Sequence, residues 1–310
     1  MMDSYLWGSV ERISPEAPVP VVSVQKKENR LGGAANVALN VQALGANPII
    51  CAVVGNDKEG SDVIELLEQQ RLSTKGILKL TDRPTTVKTR VIGHHQQMIR
   101  IDAEVDEEIS AKDTQKLLDL IKRILTEDTI DAIVFEDYDK GVISKVLIEE
   151  IVKLAEARKL ITVVDPKKRN FLHYQGVTLF KPNLKELRDG LKRDIDLNDP
   201  NELQSAVEEL KDLLQAEMVM VTLSEKGVYI LSNAEKKLIP AHIRTISDVS
   251  GAGDTVIATT VVCLAAKLDA FTTAAIANLA GGLVCQSVGV VPINKEELLA
   301  EVELLQLSDS

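Results

Sequence analysis

The chain has 310 residues, 45% of them hydrophobic, enough to bury a large core in one big α/β domain or two smaller ones. Its formal net charge of -11 argues against a nucleic-acid or anionic-membrane partner, because such surfaces are met by clustered Lys and Arg, so any anionic substrate must be held locally. Cys51, Cys263 and Cys285 are widely spaced in apolar runs, which suits reduced thiols rather than a disulfide framework, and no basic, apolar leader opens the chain. The longest apolar stretches, 256–266 and 274–291, are short or interrupted, and the expectation is one large soluble, cytoplasmic domain with an appendage.

Taken in chain order, residues 17–24, with Pro18 and Pro20, read as an exposed antiparallel strand, and residues 49–54 as a buried one. Residues 85–102 largely alternate apolar and polar, predicting further exposed strands. Together with 17–24 they would pair into a small sheet covering a site as a lid. Leu117, Leu118, Ile121, Ile124 and Leu125 then mark one face of a helix, followed by a strand at 132–135. A helix carrying Val146, Leu147, Ile151 and Leu154, strands at 161–164 and 178–180, a helix carrying Leu203, Val207, Leu210 and Leu214, and a strand at 218–222 complete the pattern. This alternation predicts an α/β fold with a doubly wound parallel sheet, whose ligands gather at the carboxyl ends of its strands.

The strongest local signal is Asp248-Val-Ser-Gly-Ala-Gly-Asp254, which opens a helical run at 255–266. Gly251, Ala252 and Gly253 can turn their N–H groups toward one point at a helix N-terminus, making an anion hole. Asp254 beside it is placed to take a proton from an attacking hydroxyl, as phosphoryl transfer requires. The competing account is that Asp254 only charges the first helical turn. No G-x-x-x-x-G-K-[ST], G-x-S-x-G or H-E-x-x-H motif occurs, and His94, His95, His173 and His242 show no ligand spacing beyond an adjacent pair.

These residues resemble the ribokinase-like (PfkB) carbohydrate kinases, with 248–254 matching the carboxyl-terminal motif and Leu31-Gly-Gly-Ala-Ala-Asn-Val-Ala-Leu-Asn40 the amino-terminal one. Within that family the heptose 7-phosphate kinases are most similar. Their pattern resembles Arg12-Ile-Ser-Pro-Glu-Ala-Pro-Val-Pro-Val-Val22, Gln97-Met-Ile-Arg-Ile-Asp102, Asp137-Tyr-Asp-Lys-Gly141, Asp165-Pro-Lys167 and Pro182-Asn-Leu-Lys-Glu186. The resemblance implies one Rossmann-like kinase domain over 1–310, mostly parallel in its sheet. A β-lid formed by strands near 12–31 and 85–102 would also serve in a homodimer. It implies transfer of the ATP γ-phosphate, with Mg²⁺, to the anomeric hydroxyl of D-glycero-β-D-manno-heptose 7-phosphate, in ADP-heptose and lipopolysaccharide precursor synthesis. Fructose 6-phosphate, ribose or nucleoside kinases, and a non-catalytic sensor, are the alternatives. The family normally opens with an apolar strand ending in Gly-Asp ahead of the position of Asp3, so a first strand is expected to be missing before Met1.

Carried over residue by residue, the resemblance places Asp3, Gly32, Gly33 and Asn36 against the sugar, where a glycine turn with a local Asn hydrogen bond is the bland alternative. Lys88, Arg90 and Arg100 occupy even positions and would share one strand face toward a substrate phosphate, or else protect a sheet edge. Asp137, Lys140 and Lys167 follow strands at the functional edge, with surface salt bridges as the alternative. Asn183 and Glu186 form a capping-box pattern and, by resemblance, help place Mg²⁺ and phosphates, Glu186 through water. Thr222, Ser224, Glu225 and Gly227 match the nucleotide-side turn, though a hairpin would look alike. Asn278 would lie near adenine, or bond to another helix or its own.

Overall fold

The computed structural model describes residues 1–93, 96–233, 235–242 and 244–308, with 305–308 by backbone alone. The adjacent pair His94 and His95 lies outside them. The chain divides into two compact units, Met1–Ala35 with Ile49–Glu107, and Asn36–Pro48 with Glu108–Ser310.

The first unit contains β1 (Met2–Ile13), β2 (Pro20–Leu31), the first residues of α1 (Ala34–Ala43), β3 (Ala52–Gly55), α2 (Lys58–Gln69), β4 (Ile77–Leu80), β5 (Val87–Gly93) and β6 (Gln96–Ala103). Four strands form a sheet in the order β2-β1-β5-β6; β1 runs antiparallel to β2 and parallel to β5, and β6 is antiparallel to β5. The strand expected at 17–24 therefore starts at Pro20, extends to Leu31, and does not pair with the 85–102 segment, because β1 stands between them. Register shifts at Trp7/Gly8 and Val10/Arg12 break the two-residue period of β1 and hide it from pattern reading. At the first shift Gly8 is obligatory in size, since a Cβ there would lie 2.4 Å from the Ser23 carbonyl oxygen. β3 and β4 pair in parallel, and of the strand expected at 49–54 only the part from Ala52 is regular, Ile49 making an isolated bridge to Ser73.

The second unit continues α1 and adds α3 (Ala111–Glu127), β7 (Ala132–Glu136), α4 (Lys145–Arg158), β8 (Ile161–Asp165), β9 (Leu179–Phe180), α5 (Leu184–Leu191), α6 (Pro200–Leu214), β10 (Met218–Thr222), β11 (Val228–Ser232), β12 (Glu235–Ile239), α7 (Ala252–Ala265), α8 (Ala270–Val284) and α9 (Lys295–Ser308). Its six-stranded sheet has the order β12-β11-β10-β9-β8-β7, parallel from β7 to β10 and antiparallel from β10 to β12. Val163, Val164, Leu179, Phe180, Val219 and Met220 in its central strands are completely buried, the near-continuous apolar pattern of a sheet covered on both faces. Side-chain oxygens of Ser110 and Ser144 cap α3 and α4 by accepting the N–H groups of Asp113 and Leu147. In α4 the buried stripe is Leu147, Ile148, Ile151 and Ala155, whereas Val146, expected on that face, is 60% exposed, one residue and so about 100° off the stripe. The apolar stretches at 256–266 and 274–291 fall mainly in α7 and α8. α7 is buried from Thr255 through Val261 without interruption, as a helix enclosed by protein must be. Among the described residues no helix is long and apolar enough to cross a membrane.

Candidate active site

Three parallel strands of the second unit end beside one another with polar residues. β7 ends at Glu136, β8 at Asp165, paired with it in register, and Lys181 follows β9. Lys181 is 3% exposed, and its Nζ lies 2.9 Å from Asp165 Oδ2. Burial pushes its ammonium toward neutrality, but Asp165, then Glu136 and Glu186, hold it above the ordinary lysine range. Burial, then Asp165 and Asp254, drive the Glu136 carboxyl well above the carboxylate range, and its Oε2 is shut off from solvent without a hydrogen-bond partner.

The N-terminus of α7 belongs to the same unit. Gly251, its N-cap, has φ +82, and a Cβ there would sit 3.1 Å from both Asn36 Nδ2 and Val290 Cγ1, so conformation and space both select glycine. No side chain caps the first turn, although the Ala252 N–H reaches the Val249 carbonyl at 3.3 Å. A Cβ on Gly253 would meet nothing nearer than Asp165 Oδ2, at 3.9 Å. Backbone donors with open space before them, at the positive end of a helix dipole, are the arrangement that can receive an anion. Asp254 follows directly, its Oδ2 accepting from Asn36 Nδ2 at 2.6 Å and its Oδ1 from the Tyr138 hydroxyl at 3.2 Å. Burial, and secondarily Asp165, raise its carboxyl above the usual range, while Asn36, Tyr138 and Lys181 oppose the rise. A carboxylate so placed holds a proton more readily than a solvated aspartate.

Asn36 is in turn fixed by α1 and its neighbours. Asn40 donates to the Asn36 carbonyl at 2.9 Å, while Asn40 Oδ1 accepts from Thr255 Oγ1 at 3.1 Å and the Ile293 N–H at 2.9 Å. Upstream, Asp248 accepts the N–H groups of Ser250 and Gly289; burial opposes its ionisation, but these bonds hold the carboxyl below the usual range.

Asp137 is buried, and its oxygens accept from the Asp139 N–H (2.8 Å), Asn170 Nδ2 (3.1 Å) and the Tyr174 hydroxyl (2.8 Å), so it pins the turn that contains Lys140. Lys167 Nζ lies 2.5 Å from Glu186 Oε1 and 3.9 Å from Asp165. The capping box is realised: Asn183 Oδ1 accepts the Glu186 N–H and Glu186 Oε2 the Asn183 N–H. Thr222 ends β10, and Ser224, Glu225 and Gly227 lie in its connection to antiparallel β11, with a single 3-10 turn at Ser224–Lys226. Gly227 has φ +92, and a Cβ there would lie 2.0 Å from the Ile239 carbonyl oxygen. Asn278 Nδ2 donates to the Pro240 carbonyl at 2.8 Å, a tertiary bond from α8 to the segment after β12.

In the first unit, strand register puts Asp3, Lys88, Arg90 and Arg100 on one sheet face, since Asp3 pairs with Lys88, Lys88 with Asp102 and Arg90 with Arg100. Arg90 binds Asp3 at 2.6 Å and lies over the Tyr5 ring at 5.4 Å; Lys88 bridges Asp102 and Glu104, and Arg100 reaches Asp102. A Cβ on Gly32 would collide with the Asp3 carboxylate at 2.4 Å, so that glycine is what lets Asp3 approach the turn containing Gly33, whose φ is +61. Tyr138, Glu136, Asp165, Lys181 and Asn40 were not singled out as site residues from sequence. For the first four the available signal was a polar residue at or just past the carboxyl end of a strand, whereas Asn40 lies within α1.

Among the described residues no group of three or more His, Cys, Asp or Glu side chains could hold a metal ion. Both Glu186 oxygens already accept hydrogen bonds. That donor set fits a magnesium ion that arrives with a nucleotide and keeps most of its waters, not one caged by protein.

Residues 1–297 match the description of a pfkB family carbohydrate kinase. The Bifunctional protein HldE of Methylobacillus flagellatus is 40% identical over 306 residues, covering 99% of this chain and 62% of that protein. The protein of the same name from Magnetococcus marinus is 41% identical over 300 residues, with 96% and 61% covered. The chain thus spans about three-fifths of the length of these relatives. Of solved structures, phosphofructokinase-2 from Escherichia coli in complex with potassium aligns with a TM-score of 0.79 at 16% identity, over 98% of this chain and 96% of that one. Arabidopsis thaliana ribokinase complexed with ribose and ATP gives 0.73 at 17%, over 96% and 95%. At such identities these two share the fold.

Proposed function

The chain belongs to the pfkB family of carbohydrate kinases, and from that premise we propose that it transfers the γ-phosphoryl group of ATP to the anomeric hydroxyl of D-glycero-β-D-manno-heptose 7-phosphate. The observation that carries the reaction type is a carboxylate of raised basicity, Asp254, at an uncapped helix N-terminus with open space before Gly253. Asp254 takes the proton of the attacking hydroxyl as its oxygen bonds to phosphorus and the bond to the ADP oxygen breaks. The N–H groups that follow Gly251 and the lysines Lys167 and Lys181 offset the negative charge of the transferring group. Glu186 would hold magnesium through water, and the ion when bound supplies charge neutralisation on the phosphates. The choice of heptose rests on the resemblance of the 12–22, 97–102, 137–141, 165–167 and 182–186 segments, which with the motifs at 31–40 and 248–254 run through nearly the whole chain.

In the first unit, Arg100 is the basic side chain most open to a substrate phosphate: it is 52% exposed, against 15% for Lys88 and 23% for Arg90. The opposite face of β6 presents Ile99 and Ile101, 56% and 53% exposed, which supports a homodimer through this sheet.

The test is ADP production with Mg-ATP on a panel of D-glycero-D-manno-heptose 7-phosphate, fructose 6-phosphate, ribose and adenosine. Preference for the heptose phosphate is expected, and preference for another sugar would reassign the substrate while leaving the family in place. Asp254→Asn should lower kcat by at least roughly 10²-fold with little change in ATP affinity, and near-wild-type turnover would remove Asp254 as the base.

A further inference from the structure

We propose that Tyr138 is a positioning residue for the catalytic base, its hydroxyl fixing the Asp254 carboxylate through the oxygen that Asn36 leaves available. The proposal rests on the assignment of Asp254 as base made above. The terminal torsion of an aspartate is broad, so a carboxylate in the first turn of a helix swings unless two points hold it. Here Asn36 Nδ2 takes Oδ2 at 2.6 Å and Tyr138 takes Oδ1 at 3.2 Å, from elements far apart in sequence. A carboxylate oxygen can accept more than one hydrogen bond, so this hold leaves a lone pair for the substrate proton.

The hold is effective because Tyr138 is itself held. Its neighbour Asp137 accepts three hydrogen bonds, one from the backbone of the same turn and two from Asn170 and Tyr174. Asp139 (φ +53) and Gly141 (φ +66) adopt left-handed conformations that close the turn, and the Gly141 carbonyl accepts the Ile109 N–H at 2.9 Å. Burial, with Asp254, Glu136 and Asp165 nearby, pushes the Tyr138 phenol above its ordinary range, so it remains a donor wherever the enzyme works. The titratable groups around Asp254, namely Asp165 and Lys181 with Glu136 and Lys167 beside them, are all retained when the hydroxyl alone is removed.

The experiment uses the whole chain with Mg-ATP and heptose 7-phosphate or, failing turnover there, the panel sugar that is phosphorylated. Tyr138→Phe should lower kcat roughly 10-fold with KM for ATP unchanged. The acid limb of kcat/KM should move to higher pH, because the charged form of Asp254 loses a donor. In an Asp254→Asn background the same change should cost less than roughly 2-fold, since Tyr138 acts through that carboxylate. Thermal melts of each variant separate these effects from lost folding. An unmoved limb, or an undiminished loss in the Asp254→Asn background, overturns the role of Tyr138 alone. Near-wild-type turnover by Asp254→Asn itself would overturn the base assignment, and this proposal with it.

Discussion

Glu136 carries a carboxyl oxygen without solvent or partner, next to two other acids, and such a group is cheapest to keep protonated. Its folded pKa lies above its unfolded one, so its favourable contribution is complete below the ordinary glutamate pKa and is lost as pH rises toward the folded value. Glu136→Gln should therefore leave stability at pH 4 nearly unchanged and raise it at pH 8, by roughly 2–4 °C in Tm for each kcal/mol recovered; a melt series in pH decides it. Gly253 invites a complementary substitution. A Cβ fits there sterically but occupies the space before the helix N-terminus, so Gly253→Ala should preserve Tm within about 1 °C. It should nevertheless cost roughly 10-fold or more in kcat, as read by ADP release.

Between elements, α7 and α8 meet where a Cβ on Gly281 would come within 2.7 Å of Val256 Cγ2. Gly281→Val should overpack that contact and cost about 1–3 kcal/mol, measurable by urea unfolding with an unchanged m-value. These helices also show what the sequence discloses and what it withholds. Their apolar runs, the buried strands at 132–135, 161–164 and 218–222, and the glycine-rich opening at 251–253 are legible because burial imposes composition and backbone geometry imposes glycine. β1 was not legible, since two register shifts erase its period and one of its two partner strands, β5, lies far along the chain. The hold of Asn170, Tyr174 and the backbone on Asp137 was not legible either, being a tertiary arrangement no local pattern encodes. Lys181 was missed because a lysine after a two-residue strand looks solvated, and only the fold shows it buried against Asp165. The shared face of Lys88, Arg90 and Arg100 did follow from counting alternate positions, because β5 is regular from Val87 to Val91 and pairs one-to-one with β6 there.

Considered as a whole molecule, each unit contains an element at one extreme of burial. Every residue of β6 is exposed, whereas α7 is enclosed for most of its length directly after Asp254. Trp7, the single tryptophan, stacks on Tyr5 with centroids 6.2 Å apart on the sheet face that bears Asp3 and Arg90. Its fluorescence should therefore respond to the sugar phosphate, and a signal moved by ATP alone would count against a sugar role for that face. Exchange of α7 amides with deuterium should require opening of its entire unit, while those of β6 outside the ladder should exchange early. For a base seated at the first turn of an enclosed helix, no partial melting can release it while sparing the core. On slow heating, loss of the second unit's structure should therefore abolish turnover at every sugar concentration, whereas loss of the first unit's sheet alone should first appear as a raised KM for the sugar phosphate, so that the two effects report separately on the integrity of each unit.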